Sequence, residues 1–151
     1  MKNQFLSLVL LISASFLAAS CSSDDDSSDN NNNSAIIVQL EASIKVGTWR
    51  VSNFVEDGTN QTHHFTGYAF TFSGNGTVTA TNGTNTVTGT WSTSSSSSSG
   101  AKFILNFNVT SGPFEEISED WRIESVTSIL VDLKHVSGGD GSVDLLTFAK
   151  I

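Results

Sequence analysis

The sequence predicts an all-β protein: an eight-stranded antiparallel up-and-down barrel preceded by a short helix. Three observations predict it. From Gly47 onward, apolar and polar residues alternate in short runs rich in Thr, Val and aromatics, the period-two signature of half-buried strands. Gly- and Asn-rich strings punctuate those runs, at 73–76 ("SGNG"), 82–85 ("NGTN") and 137–141 ("SGGDG"). Gly and Asn tolerate the positive φ that tight hairpins demand. After residue 44, moreover, no long stretch carries a helical period.

Taken in order, residues 35–44 ("AIIVQLEASI") suit a short helix before the first strand. Strands are then expected at 48–55, 65–72, 77–81, 86–92, 102–109, 121–126, 128–136 and 143–151. Three longer links complete the chain: 56–64, the Ser-rich 93–100, and 110–120 with the sole proline, Pro113. Eight antiparallel strands joined mainly by short turns favour closure, because a closed barrel leaves no unpaired edge. A seven-strand sandwich would need longer crossovers between its sheets.

Alternation also assigns the faces. Tyr68, Phe70 and Phe72 share one face, as do Val78 and Ala80, and Val87, Gly89 and Trp91. So do Phe103, Leu105, Phe107 and Val109, and Ile129, Val131 and Leu133. The opposite faces carry Thr77, Thr79 and Thr81, then Thr86, Thr88 and Thr90, then Lys102, Asn106 and Asn108, then Asp132 and Lys134. Ile104 and Leu130 are scattered outward exceptions. A wet outer face is the reverse of a transmembrane barrel, whose outer band is apolar.

Gly47-Thr48-Trp49, entering the first strand behind a short helix, resembles the Gly-x-Trp signature of lipocalins. The series "FTFSGNGTVTA", "VTGTWS", "EDWRIESVTSILVDL" and "LLTFAKI" is similar to the lipocalin-like domains of bacterial lipoproteins, over most of residues 47–151. The chain lacks the Thr-Asp-Tyr motif of typical lipocalins. It also lacks a last-strand arginine to cover the tryptophan, and Lys150 is the residue placed to substitute for it. The resemblance implies a cup-shaped barrel for a small apolar ligand. Trp49, Tyr68, Phe70, Trp91, Phe103, Phe107 and Trp121 are the expected lining.

The front of the chain reads as an address. Residues 1–20 have the form of a secretory signal peptide: Lys2, an apolar run over 5–17, then Ala18-Ala19-Ser20 before a cut. The run is too short to span a bilayer as a helix. Cys21, the single cysteine, follows in a setting that resembles the lipobox of bacterial lipoproteins, with Ala18 where the aliphatic residue usually stands. That resemblance implies acylation of the Cys21 thiol, and two or more acyl chains anchor stably where one does not. A disulfide within one chain is excluded. Residues 22–34 carry no apolar side chain and read as a disordered acidic tether, with a reach of about 20 Å. Ser22-Ser23-Asp24-Asp25-Asp26 also resembles an acidic signal that sorts some lipoproteins to the outer cell surface. The expected organisation is therefore signal peptide 1–20, acylated Cys and tether 21–34, and barrel domain 35–151. The expected location is the outer membrane, on its periplasmic face or the cell surface.

Composition narrows the function classes. With 7 basic and 15 acidic residues the net charge is −8, which argues against a nucleic-acid partner and a polybasic hold on anionic lipid. The tail after the tether, about 117 residues, makes one domain. The indoles read as core residues whose N–H groups find local partners. His63-His64 read as loop histidines, with His135 and Glu56 or Asp57 too dispersed in sequence to complete a metal site. Asp140 and Asp144 lack a calcium-loop pattern and read as turn residues. Glu115-Glu116 and Glu119-Asp120 read as a solvated face, with Arg122 or Lys102 placed to pair with one of them. No serine sits in a nucleophile elbow. No catalytic residue, cofactor or metal site is expected. The expectation is a monomeric, lipid-anchored binding barrel for a small apolar ligand. The alternative is a filled barrel that contacts another envelope component through its loops.

Overall fold

A computed structural model of the chain describes residues 28–139 and 141–151, with side chains from Asn31 onward. The expected signal peptide, Cys21 and the tether up to residue 27 lie outside the described residues, as does Asp140. Helix α1 (Ser28–Ile44) leads into β1 (Trp49–Glu56), the two-residue β2 (Thr59–Asn60), a 3-10 turn (Thr62–Phe65), β3 (Ala69–Phe72), β4 (Thr77–Thr81) and β5 (Thr86–Ser96). Then come β6 (Gly100–Asn106), a one-turn helix α2 (Pro113–Glu116), β7 (Asp120–Val126), β8 (Leu130–Val136) and β9 (Val143–Lys150). Every pairing is antiparallel and follows chain order, and β1 pairs with β9 to close the ring. With β2 a mere flap on β1, eight strands make the wall, as the alternation predicts. No described helix is long and apolar enough to cross a membrane.

Closure is uneven. β1 pairs with β9 from Trp49↔Lys150 to Val55↔Leu145, through a bulge between Val51 and Asn53. It meets β3 at one position, Trp49↔Phe70. Above that point the 3-10 turn fills the seam. Thr62 Oγ1 accepts the Phe54 N–H at 2.8 Å, and the Gln61 N–H donates to the Phe54 carbonyl at 2.8 Å. Polar backbone at the seam is thereby satisfied without a ladder, and Phe65 is carried inward.

Both ends are plugged. Helix α1 crosses the end that bears the β5–β6 and β7–β8 turns, tied there by Asn33 Nδ2 to the Ser96 carbonyl and Gln39 Nε2 to the Val126 carbonyl. Its Leu40 and Ile44 are fully buried. The link between β6 and β7 covers the opposite end, with Phe114 of α2 packed edge-on against Phe65, Tyr68 and Phe107. Each indole N–H finds a nearby carbonyl: Trp49 that of Ile44, Trp91 that of Ser73, Trp121 that of Ile117. Lys150 Nζ stands 5.2 Å from the Trp49 ring centre, covering it as expected.

Several boundaries differ from the sequence reading, each for a physical reason. The helix starts at Ser28 rather than at residue 35, because a helix nucleated by docking extends at little further cost. The third barrel strand begins at Ala69; residues 65–68 belong to the seam-filling turn. The Ser-rich segment is largely strand: β5 continues to Ser96 in register with β6, down to Ser96↔Gly100, leaving a short turn where a long loop is expected. Ser side chains impose no backbone preference strong enough to resist a ladder offered by β6. β6 ends at Asn106. Asn108 takes φ 51°, so Val109, expected inside, is exposed. Ile129, also expected inside, is 64 % exposed because Thr127–Leu130 is a hydrogen-bonded turn. Neither β2 nor α2 is signalled by the sequence pattern.

Gly89 carries the tightest constraint on the wall. A Cβ built there would lie 2.4 Å from the Asn106 carbonyl oxygen and 2.8 Å from Phe107 Cα, both backbone atoms. Gly89→Ala is therefore expected to destabilise by about 1–3 kcal/mol, the range for overpacking a close-packed interior. Thr88→Ala, on the exposed neighbour, should stay within about 0.5 kcal/mol. Urea denaturation of the two variants checks this, and equal midpoints would contradict the close approach.

Candidate functional site

The interior comes first, since the expected ligand lining lies there. Trp49, Phe70, Phe103 and Trp121 are fully buried, and Phe107 and Trp91 nearly so, while Tyr68 is half-buried. They belong to one hydrophobic core in which rings touch rings. Phe70 meets Phe107 at 6.3 Å and Phe148 at 5.3 Å; Phe72 meets Phe103 at 5.7 Å and Trp91 at 6.1 Å; Phe54 meets Trp121 at 6.4 Å. These are the offset and edge-on separations at which aromatic pairs attract. The residues expected to line a cup are therefore each other's neighbours. Tyr68 and the edge of Trp91 reach open clefts: Tyr68 one of about 280 Å³ beside Phe65 and Val51, at the thin β1–β3 seam, and Trp91 one beside Glu41 and Thr93.

A polar groove lies on the outer wall. A groove of about 230 Å³ runs over β6, β7 and β8, from Ser99 past Lys102, Arg122 and Lys134 to His135. Lys102 is the register partner of Arg122, and Arg122 of Lys134. Three of the six described cations thus form a row across three neighbouring strands of an acidic protein. Like charges placed opposite one another destabilise a sheet. Counter-charges answer two of the three: Lys102 pairs with Asp120, and Arg122 Nε lies 3.3 Å from Glu124. The sequence leaves Arg122 or Lys102 to pair with the Glu119-Asp120 acids, and Lys102 does so. Lys134 has no ion pair among the described residues.

The groove ends at His135. Its ring stands edge-on to Trp121, 6.0 Å between centres and 84° between planes. Its Nδ1 lies 3.5 Å from a Glu119 carboxylate oxygen, is buried, and has no hydrogen-bond partner. Glu119 and Asp120 flank the start of β7, and Glu119 is pinned by its carbonyl, which accepts the Leu105 N–H at 3.0 Å. In sequence, His135 and Glu56 or Asp57 stand only as dispersed partners for His63-His64. The actual neighbours of His135 come from the β7 start, which antiparallel pairing puts beside the β8 end. His63 and His64 sit on the 3-10 turn, exposed, their rings 4.0 Å apart. Strand geometry, which would separate them, does not apply there.

Acidic groups collect at the end opposite α1. Asp57 adopts φ 46° at the β1–β2 turn, and its N–H donates to Asp144 Oδ1 at 2.9 Å. Burial raises the Glu56 carboxyl above its usual value of 4.5, helped by the like charges of Glu116, Asp144, Asp57 and Glu115. A raised pKa in the folded state means that folding favours the protonated form. The resulting stabilisation is fully present below pH 4.5 and is lost as pH rises through the raised value. Glu56→Gln should therefore be more stable than the native protein at pH 7. The difference should shrink as pH falls and vanish below about pH 4.5. Thermal melts of both proteins across pH 4–7 measure this; a pH-independent difference would contradict the charge origin.

No protein-family profile and no curated protein sequence matches the chain. Among solved structures, a DUF4847 family protein from Bacteroides vulgatus is similar, with a TM-score of 0.49 and 20 % identity. The match covers 74 % of this chain and 97 % of that one.

Proposed function

We propose that this protein is a lipid-anchored, lipocalin-like envelope protein whose barrel interior is structural and whose contacts are made on the outside. The observation that carries the reading is the interior itself. Ring packs on ring from Phe54 to Trp91, and both ends are stopped, by Leu40 and Ile44 of α1 and by Phe114 and Ile117. An eight-stranded barrel is just wide enough for side chains to fill it, and here large aromatic ones do. A lumenal apolar ligand would have to displace that packing, at the cost of a core truncation, about 3–5 kcal/mol for each Phe. The recognition surface is then the outer wall, with the cationic groove over β6–β8 as the place for anionic groups of an envelope partner. Catalysis has no part in this reading.

The anchor rests on Cys21 and the segment before it. An acyl-tethered domain, joined by the few residues between Cys21 and α1, stays beside the outer membrane, where envelope components are concentrated. Two measurements test the proposal. In the first, the delipidated protein is titrated with fatty-acid-like and aromatic probes while tryptophan emission is followed. No saturable quench is expected. Saturable quenching weakened by Phe107→Ala would favour the lumenal ligand instead, whereas an effect confined to Tyr68→Ala would place binding in the seam cleft. In the second, Cys21→Ala should abolish incorporation of a clickable fatty acid in cells. Unchanged labelling of that variant would remove the anchor.

A further inference from the structure

We propose that Glu119, Asp120 and His135 form a binding site for a zinc-like divalent cation at the end of the outer groove. One donor atom from each of the three lies within 4.8 Å of the other two. The spacing between His135 Nδ1 and the Glu119 carboxylate, 3.5 Å, is informative. It is longer than the 2.7–3.2 Å usual for an N–H···O bond, about 3 Å at its mode. It is close to the edge of a tetrahedron of ligands around zinc, roughly 3.3–3.5 Å for bonds of about 2.0–2.2 Å. The imidazole nitrogen is also buried without a hydrogen-bond partner. Buried polar atoms in folded proteins are nearly always satisfied, and an ion is one way of satisfying them.

The local structure explains how two sequence neighbours can serve one ion. Adjacent residues within a strand point to opposite faces, but Glu119 lies just ahead of β7, where that alternation has not begun. The His135 ring is held in place by the edge of Trp121. The Lys102 ammonium occupies one Asp120 oxygen, Oδ2, and leaves the other to coordinate. An imidazole with two carboxylates suits zinc and its first-row neighbours better than calcium or magnesium, which prefer all-oxygen shells. Lys102 lowers the attraction for a cation, so micromolar rather than nanomolar affinity is expected. A fourth position opens toward the groove. There Arg122 and Lys134 can steady a water-derived or anionic ligand on the metal. The site lies at the rim, where β7 starts and β8 ends, and stands or falls independently of how the barrel interior is read.

The test is calorimetric titration of Zn²⁺ into the full chain after chelator treatment, in a Cys21→Ser background so that the thiol holds no metal. One Zn²⁺ per chain is expected, with Mg²⁺ and Ca²⁺ giving no comparable heat. His135→Ala and Glu119→Gln should each weaken binding by about tenfold or more, since losing even an outer-shell partner costs that much. The double substitution of His63→Ala and His64→Ala should leave it unchanged. If His135→Ala loses its β-type circular dichroism, Glu119→Gln, on an exposed side chain, decides the matter. No stoichiometric binding below about 100 μM, binding that survives Glu119→Gln, or binding that disappears with His63 and His64 would each overturn the site.

Discussion

The barrel closes on Trp49. It is the one residue of β1 in register with both of the wall strands beside it, at Lys150 of β9 and Phe70 of β3. Its indole N–H takes up the carbonyl of Ile44, the last residue of α1, where a helix leaves acceptors without partners. Its ring lies beneath the Lys150 ammonium. One residue therefore ties the helix to the wall through its side chain, and the first strand to both of its wall neighbours through its backbone. Beyond this point the β1–β3 seam has no ladder and depends on the Thr62 hydroxyl and Phe65. The remainder of the fold is ordinary hairpin chemistry hung from that closure.

Closure of so small a ring sets the problem of what goes inside. Ten Phe and three Trp in 151 residues are a large apolar load, and most of them converge on one cluster with the plugs at either end. Edge-on aromatic contacts add about 0.5–1.5 kcal/mol per pair beyond the burial of area, so interlocked rings favour a rigid, dry interior over an adaptable cup. Among the described residues, no polar or charged residue is buried as a whole in it. The indole nitrogens, the unavoidable exceptions, each reach a backbone carbonyl within a few residues or one hairpin. Open clefts lie instead on the wall and at the β1–β3 seam.

Charge there is unevenly spread. Carboxylates gather at the end opposite α1, where burial first and the surrounding like charges second raise the Glu56 carboxyl. Cations gather over β6–β8, with an imidazole and two carboxylates at their margin. In-register cations oppose folding and the sheet tolerates them because Asp120 and Glu124 lie alongside. Such an arrangement can discriminate among partners by sign and position without any new apolar surface.

Much of this was legible in the chain by itself. Period-two alternation placed Phe70, Phe72, Val78, Ala80, Trp91, Phe103, Leu105, Phe107, Val131 and Leu133 inside, because a strand's faces follow from backbone geometry whatever the partner. Gly/Asn turns marked the hairpins for the same local reason. Lys150 over Trp49 and Lys102 beside Asp120 also came within reach of sequence reasoning. What only the tertiary structure decided depends on partners far along the chain. Ser94–Ser96 are strand because β6 offers a ladder, and Ile129 points out because a turn, not a strand, holds it. The 3-10 turn exists because β1 and β3 diverge above Trp49. His135 meets Glu119 and Asp120 because β7 and β8 run antiparallel in one particular register. Local preference sets which face a side chain takes; only the register of neighbouring strands sets which side chains meet.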